Sequence, residues 1–153
     1  MKIGNSESIY VVILDTVPNY EEAIRTTCKV LLKQKIVTER YYQAILNNIK
    51  VYGGYFYLGE GVCMPHARTE DGVLETGLCI LKLNNSVDFK GNKVNLFFTL
   101  AARNKNDHFG LMKKIAAVCS RNDILWKIHM AKSGKDIIKI MELENEEKDY
   151  DSM

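Results

Sequence analysis

The sequence of 153 residues has little of several features that mark particular classes of protein. Its charges nearly balance, with 21 Lys and Arg against 19 Asp and Glu, so it lacks the basic excess typical of nucleic-acid-binding proteins. No apolar run approaches the roughly 20 residues that span a bilayer, and the first residues carry no long apolar stretch typical of a secretory signal. We therefore expect a cytoplasmic protein that neither enters the membrane nor binds nucleic acid.

Cysteine pairs, glycine-rich loops and nucleophile motifs are missing too. None of the four cysteines forms a C-x-x-C pair, which favours buried free thiols in a reducing compartment over a zinc cluster. The sequence has no glycine-rich phosphate loop of the nucleotide-binding type and no G-x-S-x-G motif. We therefore expect neither a metal nor a cofactor.

The composition changes only once along the chain, at its end. We interpret residues 1–153 as a single domain with an acidic tail over about 142–153, because at this length a chain buries roughly 68–70% of its unfolded surface. Apolar runs predict strands over 9–14, 55–58, 61–64, 76–83 and 94–102. Helical periodicity predicts helices over 20–34, 38–50, 107–120, 123–131 and 134–143.

This order of elements predicts an α/β fold. Because helices precede and follow the block of strands, we expect a three-layer sandwich in which one mixed sheet has helices on both faces. Helix starts are predicted at four residues that commonly act as N-caps, namely Asn19, Thr38, Asp123 and Ser133.

Two of the three histidines follow strand ends. His66 comes after an apolar run closed by Pro65, and His108 opens a helix after the run over 94–102 and a polar turn. Sites in open α/β sheets gather beyond the carboxyl ends of strands, so the two rings could face one another across a crevice. His129 lies on a helix without such surroundings, and we interpret it as a surface or packing residue.

The helix that starts near His108 supplies a second indication. His108 continues the apolar stripe of that helix, and it lies in the first turn, where free N–H groups and the helix dipole favour an anion. A phosphate ligand and a capping or packing role both fit this position. Arg68, two residues after His66, could neutralise a phosphoryl group or be a solvated loop charge, and Lys50 at the end of the second helix has the same two interpretations.

Three further side chains are weaker catalytic candidates. Glu70 and Asp71 stand before a glycine and are first of all turn residues, and no second acid is placed to work with either as a general base. Cys63 has apolar neighbours, which raise a thiol pKa and disfavour a nucleophile.

The stretch over 61–68, GVCMPHAR, resembles a known family. With the longer stretch over 53–73, GGYFYLGEGVCMPHARTEDGV, and the Asp107-His108 helix start, it is similar to enzyme IIA of the phosphoenolpyruvate-dependent sugar phosphotransferase system (PTS). The resemblance is to the mannitol/fructose-type (type 2) superfamily, and within it to the ascorbate-type branch. It covers nearly the whole chain and implies a mixed sheet flanked by helices.

The resemblance also implies a function. His66 matches the histidine that accepts a phosphoryl group from the phosphocarrier HPr and passes it to a cysteine of an enzyme IIB, which works with a membrane component IIC in uptake of ascorbate or a related carbohydrate. His108 matches the histidine that helps to hold the phosphoryl group, and Lys50 stands at the offset of an assisting arginine. An apolar rim including Met64 and Phe109 would suit transient docking.

Two other functions remain open from the residues. A regulatory protein of the same fold would be phosphorylated at His66 but would signal by binding another protein instead of serving transport. A metal hydrolase would use His66, His108 and a carboxylate, although the close ligand spacing of zinc motifs is missing.

Overall fold

The computed structural model describes residues 2–3 and 7–151, and the side chains of residues 8–142. The strands are β1 (Lys2–Ile3), β2 (Glu7–Leu14), β3 (Tyr57–Gly59), β4 (Val62–Cys63), β5 (Gly77–Phe89) and β6 (Asn92–Ala101). The helices are α1 (Tyr20–Lys33), α2 (Arg40–Tyr52), α3 (Lys105–Cys119), α4 (Asn122–Met130) and α5 (Gly134–Asp151), with a short 3₁₀ turn at Thr69–Asp71.

The strands form one mixed sheet in the order β1-β2-β5-β6-β4-β3. The β2–β5 and β6–β4 pairs are parallel, whereas β1–β2, β5–β6 and β3–β4 are antiparallel. Because β4 and β6 run the same way, their carboxyl ends meet at one edge of the sheet. The chain segments after both strands therefore start close together.

Each face of the sheet is covered by its own helices. Alternate residues of β5 point to opposite faces: Cys79 and Leu81 pack with α1 and α2, whereas Leu78 and Ile80 pack with α3, α4 and α5. Two separate apolar clusters result, one on each side. The predicted three-layer α/β sandwich with a mixed sheet is confirmed.

The strand bounds differ from prediction mainly in the β5–β6 hairpin. Both strands extend beyond the apolar runs, and Lys90 and Gly91 join them with φ values of 51° and 92°. The polar residues over 84–86 hide this extension in the sequence, because they sit where the pairing register shifts between Lys82 and Val87. Strand β1, with two residues, was not predicted.

The predicted N-caps have different outcomes. Asn19 accepts a hydrogen bond from the Glu22 amide at 2.9 Å, and Ser133 accepts one from Asp136 at 3.2 Å. The prediction for Thr38 is wrong: α2 starts one residue later without a side-chain cap, and the Thr38 hydroxyl is buried without a partner in the described part of the chain.

The starts of α3 and α4 and the end of α5 also differ from prediction. The cap of α3 is Asn104, so this helix begins two residues earlier than expected. Asp123 lies within the first turn of α4, after the cap position at Arg121. The acidic tail expected over 142–153 begins inside α5, whose backbone continues to Asp151; residues 152–153 lie outside the described part.

The state of the cysteines agrees with the prediction of buried free thiols. Cys28, Cys63 and Cys79 are buried and Cys119 is half-buried, and all four are free thiols. Within the described residues, no helix is long and apolar enough to cross a membrane.

Candidate functional site

The structure brings His66 and His108 together at the carboxyl ends of β4 and β6. Their ring centroids are 5.2 Å apart and the ring planes meet at 62°. His66 follows β4 after the buried Met64 and Pro65, and His108 lies in the first turn of α3. The crevice expected between these two rings is therefore present.

Tyr41 fixes the backbone beside His66. Its hydroxyl is buried, accepts a hydrogen bond from the Ala67 amide at 3.0 Å, and donates to the Leu100 carbonyl at 2.7 Å. The Leu100 amide in turn donates to the Pro65 carbonyl at 3.1 Å. The residues on both sides of His66 are thus tied to the end of β6.

A second tie comes from α2. Asn48 Nδ2 donates to the His66 carbonyl at 3.3 Å. The backbone of His66 is therefore held by both α2 and β6, and this fixes the point from which the imidazole ring extends.

The hydrogen bond of His66 Nδ1 defines the chemistry of the ring. Nδ1 lies 3.0 Å from the Met64 carbonyl oxygen, which can only accept a hydrogen bond. Nδ1 therefore carries the hydrogen, and in the neutral ring the lone pair is on Nε2. Nε2 is the nitrogen available to act as a nucleophile.

Burial supports the neutral form of His66. Burial lowers the pKa of the ring below its usual range; the hydrogen bond to the Met64 carbonyl raises it by less, and the nearby His108 lowers it further. Phe56 packs beside the ring with centroids 5.0 Å apart, and Tyr55 lies 6.1 Å away in an edge-on arrangement. This apolar contact is the physical source of the desolvation.

The start of α3 is anchored to the start of β5. Asn104 Oδ1 accepts from the Asp107 amide at 2.8 Å, and the Thr76 hydroxyl donates to Asp107 Oδ2 at 2.6 Å. The Arg103 amide donates to the Thr76 hydroxyl at 3.1 Å. These bonds hold the first turn of α3, and with it His108, against the sheet.

The two histidines line a cleft of about 950 Å³. Its walls come from α2 with the segment after it, from the residues that follow β4, and from the start of α3. Three cations line it, namely Arg68, Arg103 and Lys105.

The expected cations lie in different places. Arg68 lines the cleft but is 73% exposed, and its guanidinium contacts Asp71 at 3.3 Å and Glu70 at 3.8 Å. Lys50 is exposed on α2 and is not part of the cleft lining, so the structure does not bring it to His66.

Sequence reasoning missed Arg103 and Lys105. Both belong to the polar turn that precedes His108, which was interpreted only as a connection. The available signal was their position just before a helix that carries an inward-directed histidine.

An apolar rim borders the cleft, although its composition differs from expectation. Met64 is buried at 6% exposure, so its inclusion in the rim is wrong: its side chain points into the cluster beneath α3, α4 and α5. Phe109 is 65% exposed and follows His108 on α3, but it is not among the residues that line the cleft. Val51, Tyr52 and Tyr55 are also exposed and line the cleft.

The structure gives less support to the other catalytic candidates and to a metal site. Burial raises the pKa of the Cys63 thiol, which disfavours a thiolate. Asp71 accepts hydrogen bonds from the Arg68 amide and guanidinium. In the part of the chain that the structure describes, no three His, Cys, Asp or Glu residues are grouped to hold a metal ion. His129 is half-buried, with its Nδ1 3.2 Å from Asn95 Nδ2, and packs against the sheet.

Comparison with protein families decides the relationship. Residues 6–143 match the model described as phosphoenolpyruvate-dependent sugar phosphotransferase system, EIIA 2. The chain belongs to this family. The match covers both histidines and every element from β2 to the middle of α5.

Individual relatives and structures of this EIIA family agree. The mannitol-specific cryptic phosphotransferase enzyme IIA component of Escherichia coli is 31% identical over 131 residues, covering 84% of this chain and 89% of that protein. A solution structure under the same name, CmtB of E. coli, has a TM-score of 0.78 with 30% identity, covering 87% of this chain and 91% of that one.

Two further matches cover less of the chain or are less similar in sequence. The ascorbate-specific PTS EIIA component of E. coli is 35% identical over 92 residues, covering 58% of this chain and 60% of that protein. An E. coli complex of mannitol enzyme IIA with phosphorylated enzyme IIB contains the same fold, with a TM-score of 0.75 at 24% identity, covering 86% of this chain and 92% of that one.

Proposed function

We propose that this EIIA protein is a phosphoryl carrier whose His66 Nε2 accepts a phosphoryl group from the phosphocarrier HPr and passes it to a cysteine of an enzyme IIB. The observation that carries the proposal is the hydrogen bond of His66 Nδ1 to the Met64 carbonyl, which leaves the lone pair on Nε2. The lowered pKa of the ring keeps that lone pair free of a proton near neutral pH.

In the first step Nε2 attacks the phosphorus atom of the donor. A bond forms between Nε2 and phosphorus while the bond from phosphorus to the donor atom breaks, and the electron pair of that bond stays with the donor. The Nδ1 hydrogen remains on the ring, where the Met64 carbonyl stabilises the positive charge that the phosphorylated imidazole gains.

Phosphoryl transfer relies mainly on positioning and charge stabilisation, because its transition state is loose. The ties of Tyr41 and Asn48 to the backbone around His66 provide the positioning. His108, together with free amides in the first turn of α3, provides hydrogen-bond donors for the phosphoryl oxygens.

In the second step His66 becomes the leaving group. A thiolate of enzyme IIB attacks phosphorus, a bond between sulfur and phosphorus forms, and the bond to His66 Nε2 breaks with its electron pair returning to the ring. The exposed apolar rim of Val51, Tyr52 and Tyr55, together with the exposed Phe109 next to His108, suits a transient interface that both partners use in turn and that excludes water during transfer.

The proposed place of this chemistry is the cytoplasm, with IIB linked to a membrane component IIC. The relatives act in mannitol-specific and ascorbate-specific systems. We propose a carbohydrate of this range, and transfer from the phosphorylated protein to a panel of IIB proteins would identify the system.

The decisive experiment is labelling with phosphorylated HPr. We expect one acid-labile phosphoryl group on the wild type and on His129→Ala, and none on His66→Ala. Unchanged labelling of His66→Ala would refute the assignment. If the labelled protein passes no phosphate to any IIB of the panel but binds another protein only when phosphorylated, it has the regulatory function instead.

A further inference from the structure

Helix α3 begins with a lysine that faces the proposed site. Lys105 is the first helical residue after the cap Asn104, it is exposed, and it lines the same cleft as His66 and His108. The amino end of a helix carries a positive partial charge, so a cation there destabilises the helix unless an anion is nearby. The position of Lys105 is therefore unfavourable for the helix itself.

The other cations of the cleft are already neutralised. Arg68 contacts Asp71 and Glu70. Arg103 contacts Glu75 through one guanidinium nitrogen and Asp107 through another, both at 3.4 Å. Each arginine thus faces two carboxylates, and neither adds net positive charge to the cleft.

Lys105 differs from both arginines in this respect. Among the residues whose side chains the structure describes, it makes no ion pair. The hydrogen bonds of Asn104 and Thr76 fix the backbone from which Lys105 extends, while its flexible side chain remains free to move. It is the cleft cation whose charge is uncompensated.

We infer that Lys105 is a phosphoryl-binding residue of this protein, whose ammonium group pairs with the phosphoryl oxygens on His66. This inference rests on the proposed function. A phosphoryl group brings close to two negative charges, and it would compensate both the Lys105 charge and the amino end of α3. Lys105 thereby serves as the assisting cation that the family resemblance suggested at Lys50.

The test compares phosphorylation equilibria of three variants at a fixed ratio of phosphorylated to free HPr. We expect Lys105→Gln to lower the ratio of phosphorylated to free protein about two- to fivefold at low ionic strength, as for an exposed ion pair. Lys105→Arg should restore most of the loss. Lys127→Gln, which makes the same charge change at an exposed position of α4 outside the cleft, should match the wild type.

Two further readouts separate this role from a structural one. The thermal unfolding midpoint of unphosphorylated Lys105→Gln should equal or exceed that of the wild type, because the unfavourable cation is gone. The pKa of the phosphoryl group, measured by ³¹P NMR, should be higher in Lys105→Gln than in the wild type, because a cation favours the doubly charged form.

The possible failures are distinguishable. A wild type that HPr does not phosphorylate overturns the proposed function and this inference together. A phosphorylated wild type with an unchanged equilibrium in Lys105→Gln overturns the inference alone. If only the rate of transfer falls, Lys105 contacts the donor protein and the inference is also wrong.

Discussion

The hydroxyl group of Tyr41 offers the sharpest test of how the fold positions His66. Tyr41→Phe removes one oxygen atom and leaves the ring in place, so the packing of the core is nearly unchanged. The main loss is the bond from the Ala67 amide at 3.0 Å and the bond to the Leu100 carbonyl at 2.7 Å; a longer contact of the hydroxyl with the Ala67 carbonyl, at 3.3 Å, is lost with them.

The expected cost follows from those two bonds. The Tyr41 side chain is fully buried, so water has no ready access to the two backbone groups that lose their partner. An unsatisfied buried group costs about 1–3 kcal/mol, and we expect Tyr41→Phe to lower the free energy of unfolding by about 2–4 kcal/mol. The loosened backbone should also slow phosphorylation of His66, because transfer depends on positioning.

Urea denaturation followed by circular dichroism measures the first effect, and labelling rates from phosphorylated HPr measure the second. Tyr42→Phe is a matched control on the same helix, since the Tyr42 hydroxyl makes a longer, 3.2 Å bond to the Glu21 carbonyl in a partly exposed place. Its cost should be about 0.5–1 kcal/mol with no effect on labelling. Equal costs for the two variants would refute the reasoning about Tyr41.

Three further predictions concern protonation, a buried cation and the start of α3. By NMR titration, the pKa of His66 should lie below the 6.5 of an exposed histidine. Because the ring binds protons more readily in the unfolded chain, the contribution of neutral His66 to stability should be lost as pH falls below about 6.5. A measured His66 pKa above 6.5 would contradict this prediction. Lys82 is 5% exposed and its ammonium group donates to two carbonyls at the end of α4. Lys82→Met should therefore lower the free energy of unfolding, measured in urea, by about 1–3 kcal/mol. An equal loss in the exposed control Lys127→Met would show that these two hydrogen bonds do not stabilise the fold. Thr76→Val should lower the free energy of unfolding by about 1–2 kcal/mol and slow labelling by phosphorylated HPr, because the hydroxyl that holds Asp107 is lost. Thr76→Ser keeps the hydroxyl and should behave like the wild type. If Thr76→Ser is impaired as well, the methyl group matters more than the hydroxyl.

The histidine pair could be predicted because its signals are local. An apolar run closed by Pro65 marks a strand end, and the apolar stripe of α3 shows that His108 is directed inward. Those signals require only periodicity and turn chemistry, which a sequence carries directly. The sheet order then places the two strand ends side by side.

Side-chain direction around the cleft was harder to predict. Lys50 lies two residues after Asn48, which is about 200° around an α-helix, so it cannot face the cleft that Asn48 lines. A match at a sequence offset does not contain this angle. Lys82 illustrates the same limit, because a lysine in a strand suggests exposure until the carbonyls that it caps are in view.

The division of the core into two clusters has a consequence for the maturation of the protein. Cys63 and Ala67, which lie on either side of the proposed acceptor His66, belong to the cluster under α1 and α2, whereas Leu111 and Ile115 on the helix of His108 belong to the opposite one. Because Cys63 and Ala67 precede Leu111 and Ile115 in the sequence, the ribosome synthesises them first. Under the proposed function, a nascent chain therefore becomes able to hold a phosphoryl group only when helices have packed on both faces of the sheet.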